Sequence, residues 1–275
     1  MMDSFSYWDR EPKESIWWAP HVRSFNIVPS PDLPAPLSPK VTATFRSIAV
    51  NAPQYLLRLR STVLARGGTF IRSRISSAPT FAASLASVAG TVKRITRSHP
   101  AVWVNALGLG AKDIAHDDSM YPVKGQTVLV KGEADAIRTA LYEGGISYVI
   151  PRPGSGTTVL GGTNEVGNAD RRVVEEVTGR TLERTRALAP ELCTGKDGGF
   201  EVVSVQVGFR PGRKGGARME REIVKVGDGG EEYRVVHAYG HGGAGYQNSI
   251  GVGRRVLDMV RESVGTSEGE EKAKL

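Results

Sequence analysis

Apolar positions along the chain fall into helical and alternating patterns separated by stretches with neither. From Pro53 onward Leu56, Leu59 and Val63 share one helical face, Leu57 and Leu64 widen it, and Gly67 and Gly68 stop it. An amphipathic helix of about four turns is expected there. Across Thr69 to Ser76, Phe70, Arg72 and Arg74 alternate with Ile71 and Ile75, the period of a strand. Compact strand-like runs follow at Val102 to Asn105, Thr127 to Lys131, Tyr148 to Ile150 and Thr158 to Leu160, then at Val202 to Phe209, Glu222 to Val226 and Tyr233 to Tyr239. Asn168 or Asp170 offers a cap for a helix reaching toward Ala189, with Val173, Val174, Val177 and Leu182 as its stripe. Ile250 to Val264 carries a final helical pattern. Residues 1 to 40, with seven prolines and little periodicity, read as a loop-rich entry segment. Residues 77 to 98, rich in Ala, Ser and Thr, read as a loop with a short helix. Helices mixed with several antiparallel strands define an α+β, mixed α/β class, and no internal repeat is evident.

Composition narrows this only a little. A hydrophobic content of 40% and a charged content of 24% over 275 residues are ordinary globular values, compatible with one large domain or two small ones. Cys193 is the single cysteine, so no internal disulfide can form, and it has no metal-ligand spacing with the five histidines. No apolar run approaches the roughly 20 residues that cross a bilayer, and Asp3 with no apolar stretch beside it argues against a secretory leader. The net charge of +7 is uneven: no acidic residue lies between Asp32 and Asp113, while Arg58, Arg60, Arg66, Arg72, Arg74 and Arg94 do. Such a block suits a nucleic acid, a solvated face, an acidic partner domain or a pyrophosphate. The first reading is disfavoured because no stacking platform of aromatic residues accompanies the charges.

Three blocks in one order are specific. The first is Asn105 to Ala111 (NALGLGA) with Met120 to Val130 (MYPVKGQTVLV). The second is Tyr148 to Gly154 (YVIPRPG) with Leu160 to Thr163 (LGGT). The third is Val207 to Pro211 (VGFRP) with Val236 to Tyr246 (VHAYGHGGAGY). Together they resemble the D-amino-acid oxidase family of FAD-dependent oxidoreductases, from roughly Ile16 to Val264. The resemblance implies a large mixed sheet carrying the substrate site, plus the carboxy-terminal part of an FAD-binding domain. It divides the chain into a loop-rich entry (1–40), a partial FAD-binding portion (41–120), a substrate-binding portion (121–226), a flavin-contacting loop and helix (227–264) and a disordered tail (265–275). The family opens with a strand, a G-x-G-x-x-G turn and a helix whose amides take the cofactor pyrophosphate, and nothing before Ile16 supplies them. Gly240 to Gly245 (GHGGAG) matches that spacing but lacks the second strand ending in an acid, so it is read as the family's other glycine loop.

The resemblance also implies roles. Arg210 is expected to hold the substrate carboxylate, for which a planar, permanently charged fork is suited. Tyr148 adds a hydroxyl donor to the same carboxylate and walls the pocket. Gly243 faces the substrate amine, while Gly242, Gly243, Ala244, Gly245 and Gln247 approach the flavin, and Ile75 touches its adenine end. His241 is not expected to act as a base. Where some relatives place a second pocket tyrosine this chain has Asn164, for which Tyr142 is the substitute from the preceding loop, and Leu107 replaces a threonine.

The implied activity is D-amino-acid oxidase: with bound FAD and dioxygen, a D-amino acid gives a 2-oxo acid, ammonia and hydrogen peroxide. The alternative is a flavin-free remnant that binds ligand without catalysis, or is inactive. No metal, nucleic acid or membrane partner is implied, and a homodimer is compatible with the reading. The last residues, Ala273, Lys274 and Leu275, are a close variant of the Ser-Lys-Leu address. They imply a peroxisomal import receptor as partner and the peroxisome as location, or the cytosol if the tail is not read.

Overall fold

The computed structural model describes residues 1–12, 15–226 and 230–272. In chain order the strands and helices begin with β1 (Met2–Trp8), β2 (Arg23–Val28), β3 (Val41–Ser47), α1 (Ala52–Ala65), α2 (Phe81–Thr96), β4 (Trp103–Asn105) and α3 (Ala111–Ile114). There follow β5 (Met120–Lys131), β6 (Ile137–Tyr142), β7 (Gly145–Arg152), β8 (Thr157–Gly161), β9 (Glu165–Val166), α4 (Glu175–Arg186), β10 (Val202–Arg213), β11 (Arg218–Lys225), β12 (Glu232–Tyr239) and α5 (Ser249–Lys272). The fold is mixed α/β and divides into two compact units. The first takes residues 1–69 and 124–209, the second residues 70–123 and those from Arg210 onward. Of the three boundaries along the chain, β5 spans the one at 123/124 and β10 the one at 209/210.

Nine strands among the described residues form the larger sheet, in the order β10-β5-β8-β7-β6-β1-β3-β2 with β9 against β5. β1 runs parallel to β6, while β1–β3, β2–β3, β5–β8, β6–β7 and β7–β8 are antiparallel. Its core joins Val128, Val130, Ala140, Val149 and Leu160 to Leu188 and Leu192 beyond α4. Residues 1–40 are therefore not simply a loop: β1 and β2 lie within them. The pattern hid β1 because it buries Ser4 and Ser6 in place of apolar residues and pairs only with remote strands. β6, the hairpin partner of β7, was also unread.

α1 forms as expected, capped by Asn51, whose side chain accepts from Gln54 N, and ended by Gly67 at φ +81°. Its stripe does not pack, for Leu57 is 64% exposed and Leu56, Leu59, Val63 and Leu64 are exposed as well. Thr69 to Ser76 forms no strand, and Phe70, Ile71 and Ile75 are exposed: an alternating pattern makes a strand only where a ladder partner meets it. α4 begins at Glu175 instead of near Asn168. Asn168 and Asp170 spend their side-chain oxygens on the amides of Asp170 and Arg172, two residues on, which favours turns over a helix start.

The second unit has a smaller sheet, β11-β12-β4, with β11–β12 antiparallel and β4–β12 parallel. Leu85 and Ala89 of α2 pack on Val224, Tyr233 and Val235. α2 is a full 16-residue helix where a short one was expected. Its small residues permit close approach, as at the fully buried Ser84, whose hydroxyl accepts from the Ala78 amide. α5 continues past Val264 to Lys272, through residues read as a disordered tail.

Candidate active site

Each expected site residue has a definite local setting. In the first unit Tyr148 lies in β7, opposite Gly161 of β8. Its ring covers the two following glycines so closely that a Cβ on Gly161 would stand 2.2 Å from Tyr148 Cζ, and one on Gly162 2.3 Å from Cε1. The LGGT motif is thus glycine because the tyrosine ring occupies the space of a side chain. Tyr142 does not fit the role of second pocket tyrosine. It is buried in the core, its hydroxyl 2.8 Å from Ser147 Oγ and receiving Arg184 Nη1 at 3.0 Å.

In the second unit Arg210 stands near the end of β10 and the glycine loop follows β12. Gly240 turns the chain at φ +83°, Gly242–Ala244 form a single 3-10 turn with Gly242 at φ +58°, and α5 starts at Ser249. The loop and β10 meet closely. A Cβ on Gly240 would stand 2.8 Å from Arg213 Cβ, and one on Gly243 3.4 Å from Arg210 Cδ. The structure thus brings Arg210 and Gly243 together. A Cβ on Gly242 or Gly245 would meet open space, and His241 Nε2 is buried without a partner. A bare, open backbone beside an orphaned polar atom fits a loop that a flat polar cofactor approaches. Ala244 and the exposed Gln247 continue that loop.

Ile75 lines a cavity of about 90 Å³ in the same unit with Phe81, Trp103, Asn105 and Leu107, where Trp103 Nε1 is a second buried nitrogen without a partner. Among the described residues no cluster of His, Cys, Asp and Glu could hold a metal, and no helix is long and apolar enough to cross a membrane.

Sequence reading missed the polar system behind the loop. Asp117, between α3 and β5, accepts from Arg213 Nε at 2.8 Å and Tyr239 Oη at 2.9 Å. Arg218 Nη1 donates to Tyr239 Oη at 3.1 Å and its Nη2 to Glu222 Oε2 at 2.9 Å, the same oxygen that meets His237 Nε2 at 2.9 Å. Asn105 Nδ2 closes the series on His237 Nδ1 at 3.1 Å. Burial works against the Asp117 charge, but the Arg213 and Tyr239 hydrogen bonds prevail and hold its pKa at about 2. An Asp in a polar stretch, here beside Asp118, carries no signal of this kind. Only the fold, by placing residue 117 beside residues 213 and 239, supplies it.

Comparison with known proteins agrees with this geometry. A family described as FAD dependent oxidoreductase matches residues 35–259. A D-amino-acid oxidase of Schizosaccharomyces pombe is 35% identical over 260 residues, covering 92% of this chain and 68% of that protein. A D-aspartate oxidase of Talaromyces thermophilus is 31% identical over 267 residues, covering 94% of this chain and 66% of that protein. The chain therefore spans about two thirds of the length of each. Among solved structures, a glycine oxidase from Geobacillus kaustophilus superposes with a TM-score of 0.66 over 95% of this chain and 71% of its own, at 18% identity, a likeness of fold. With a family match across most of its length, and its arginine and glycine loop packed against one another, this chain belongs to the D-amino-acid oxidase family of FAD-dependent oxidoreductases.

Proposed function

We propose that the protein is a D-amino-acid oxidase, converting a D-amino acid to a 2-oxo acid, ammonia and hydrogen peroxide. The observation that carries this reading is the approach of the glycine loop to Arg210, with Gly243 in van der Waals reach of its side chain. Arg210 binds the substrate carboxylate through its fork, and the backbone at Gly243 orients the amine. Tyr148 is assigned to the carboxylate on its motif alone. Ile75, Gly242, Gly243, Ala244, Gly245 and Gln247 are the residues that would hold FAD. The chemistry FAD supplies when bound is acceptance of a hydride from the substrate α-carbon and return of the electron pair to dioxygen as peroxide. No side chain of this protein is asked to accept that hydride. Water then hydrolyses the imino acid product.

The test is to express the chain, add FAD and record visible absorption and peroxide release over a panel of D-amino acids. Bound oxidised flavin absorbs near about 450 nm, and peroxide is expected with D- but not L-enantiomers. A colourless protein that binds D-alanine without oxidising it would replace the oxidase by a non-catalytic binding protein. In a preparation that holds flavin, Arg210→Ala is expected to weaken D-alanine binding by about 2 to 5 kcal/mol, read as a rise in KM. An unchanged KM would remove Arg210 from the site.

Location belongs to the same proposal. Ala273, Lys274 and Leu275 lie outside the described residues. As an address at the carboxy terminus they suit a peroxide-forming oxidase, read by the peroxisomal import receptor. A fluorescent protein fused at the amino terminus should enter peroxisomes, and deletion of Leu275 should return it to the cytosol.

A further inference from the structure

We infer that Asp117 is a positioning residue for the glycine loop: by holding Tyr239 and Arg213 together it sets where Gly240 to Gly245 stand beside Arg210. The inference rests on the reading that Arg210 and this loop form the substrate and cofactor face.

The geometry is a bracket around one turn. Gly240 has two immediate constraints, the residue before it in the chain and the side chain that fills the place of its absent Cβ. The first is Tyr239, 2% exposed, and the second is Arg213, whose Cβ and Cδ stand 2.8 and 3.0 Å from that place. Asp117 Oδ2 accepts from both, while Asp117 Oδ1 takes the Ser119 amide at 3.0 Å. Arg213 also donates through Nη1 to Gly216 O, and Tyr239 Oη also receives Arg218 Nη1. One carboxylate thus ties the strand that enters the loop to the strand that carries Arg210. The Asp117 side chain is only 8% exposed, so water cannot readily replace either bond. Its neighbour Asp118 is exposed, whereas the Asp117 side chain is turned inward onto the two donors.

A carboxylate is needed for two reasons. A single oxygen must accept two donors, one of them cationic, and charge-assisted bonds of this kind are about twice as strong as neutral ones. Asn keeps the acceptor and the size but not the charge; Ala keeps neither.

The test uses Asp117→Ala, Asp117→Asn and Tyr239→Phe in the full chain, with amide hydrogen exchange resolved over residues 240–245. Exchange there is expected to accelerate about tenfold or more in Asp117→Ala and Tyr239→Phe, with Asp117→Asn between them and the parent. Exchange in β7 and β8 should not change. In flavin-loaded protein, KM for D-alanine should rise more than kcat falls. Should Asp117→Ala not fold, the near-isosteric Asn and Phe variants carry the same measurement. Parental exchange over 240–245 in folded variants overturns the positioning role, whatever the activity. Accelerated exchange in a chain that oxidises no D-amino acid even as the parent would keep the positioning role and overturn the oxidase reading.

Discussion

In the first unit the fully buried Lys124, Gln126 and Thr158 secure the backbone beside them; in the second, Asp117, Tyr239, Arg218, Glu222 and His237 answer to one another. Gln126, 1% exposed, accepts the Val174 amide at 2.9 Å and donates to its carbonyl at 2.8 Å, closing the start of α4 onto β5. Lys124 donates to Arg172 O, and Thr158 Oγ1 donates to Gly132 O while accepting from Ala134 N. Each of these bonds secures one loop or one helix end. The series from Asp117 through Tyr239, Arg218 and Glu222 to His237 shares its members, so losing one leaves another short. The first arrangement fixes a scaffold piece by piece. The second shares its members, and it reaches the glycine loop through Tyr239 and Arg213 on either side of Gly240.

The largest expected effect comes from breaking the shared series at its centre. Arg218 serves Tyr239, Glu220 and Glu222, and its side chain is 21% exposed. Arg218→Leu should cost about 3 kcal/mol, toward the low end for a broken buried pair because Glu220 and Glu222 keep some solvent. Combined with Asp117→Asn, the losses should depart from additivity by about 1 kcal/mol, since both act on the Tyr239 hydroxyl. Gln126→Leu and Thr158→Val in the first unit share no partner and should add within about 0.5 kcal/mol. Equal additivity in the two pairs, measured by denaturant unfolding, would dissolve the contrast between the units.

A smaller effect tests the first unit alone. Gln126→Leu keeps most of the volume but leaves the half-buried Val174 amide without its acceptor, while the Val174 carbonyl keeps the Val177 and Thr178 amides, a loss of about 1 kcal/mol. Amide exchange should rise at the first turn of α4, from Glu175, and stay parental over Gly240 to Gly245. If the glycine loop responded as strongly as α4, Gln126 would not be the local anchor its bonds suggest.

What could be read beforehand divides along the same line. Motifs pointed to Arg210 and the glycine loop because their signals are local, a fork next to a turn proline and glycines in a row, and the fold sets Gly243 beside the Arg210 side chain. Most core strands announced themselves by apolar runs. The burial of α1 and the length of α2 departed from the pattern, because a leucine stripe reports what a helix could bury and Ala-Ser spacing hides what it does bury. Leu57 is 64% exposed, while Ser84 is fully buried. β1 was hidden by its inward serines, and the Asp117 series by its members' wide separation, with Tyr239 lying 122 residues further along the chain. Tyr142 was misplaced for the same reason, since its hydroxyl partner Arg184 comes from α4.

The smallest effect is in the mildly acid range and concerns the far end of the series. Burial, reinforced by the nearby Arg218 guanidinium, lowers the His237 pKa against the opposing pull of Glu222 and Glu220. The hydrogen bonds agree. Leu107 N occupies Asn105 Oδ1 at 3.2 Å, which turns Nδ2 toward His237 Nδ1 and makes that nitrogen the acceptor; the ring proton then lies on Nε2 and is donated to Glu222. A histidine whose folded pKa is below its ordinary 6.5 binds fewer protons when folded. Stability therefore rises with pH between the two values, is complete above about 6.5 and is lost as pH falls below it. Asp117 differs, because with a pKa of about 2 against an ordinary 3.8 its contribution disappears only in strong acid. Unfolding free energy measured from about pH 5 to 8 should show a shallow rise in the parent, reduced in His237→Gln, while the loss below about pH 4 stays parental in the same variant. A flat parental profile across that range, or an undiminished slope in the variant, would mean that His237 carries its proton in the folded protein and that Glu222 wins over burial.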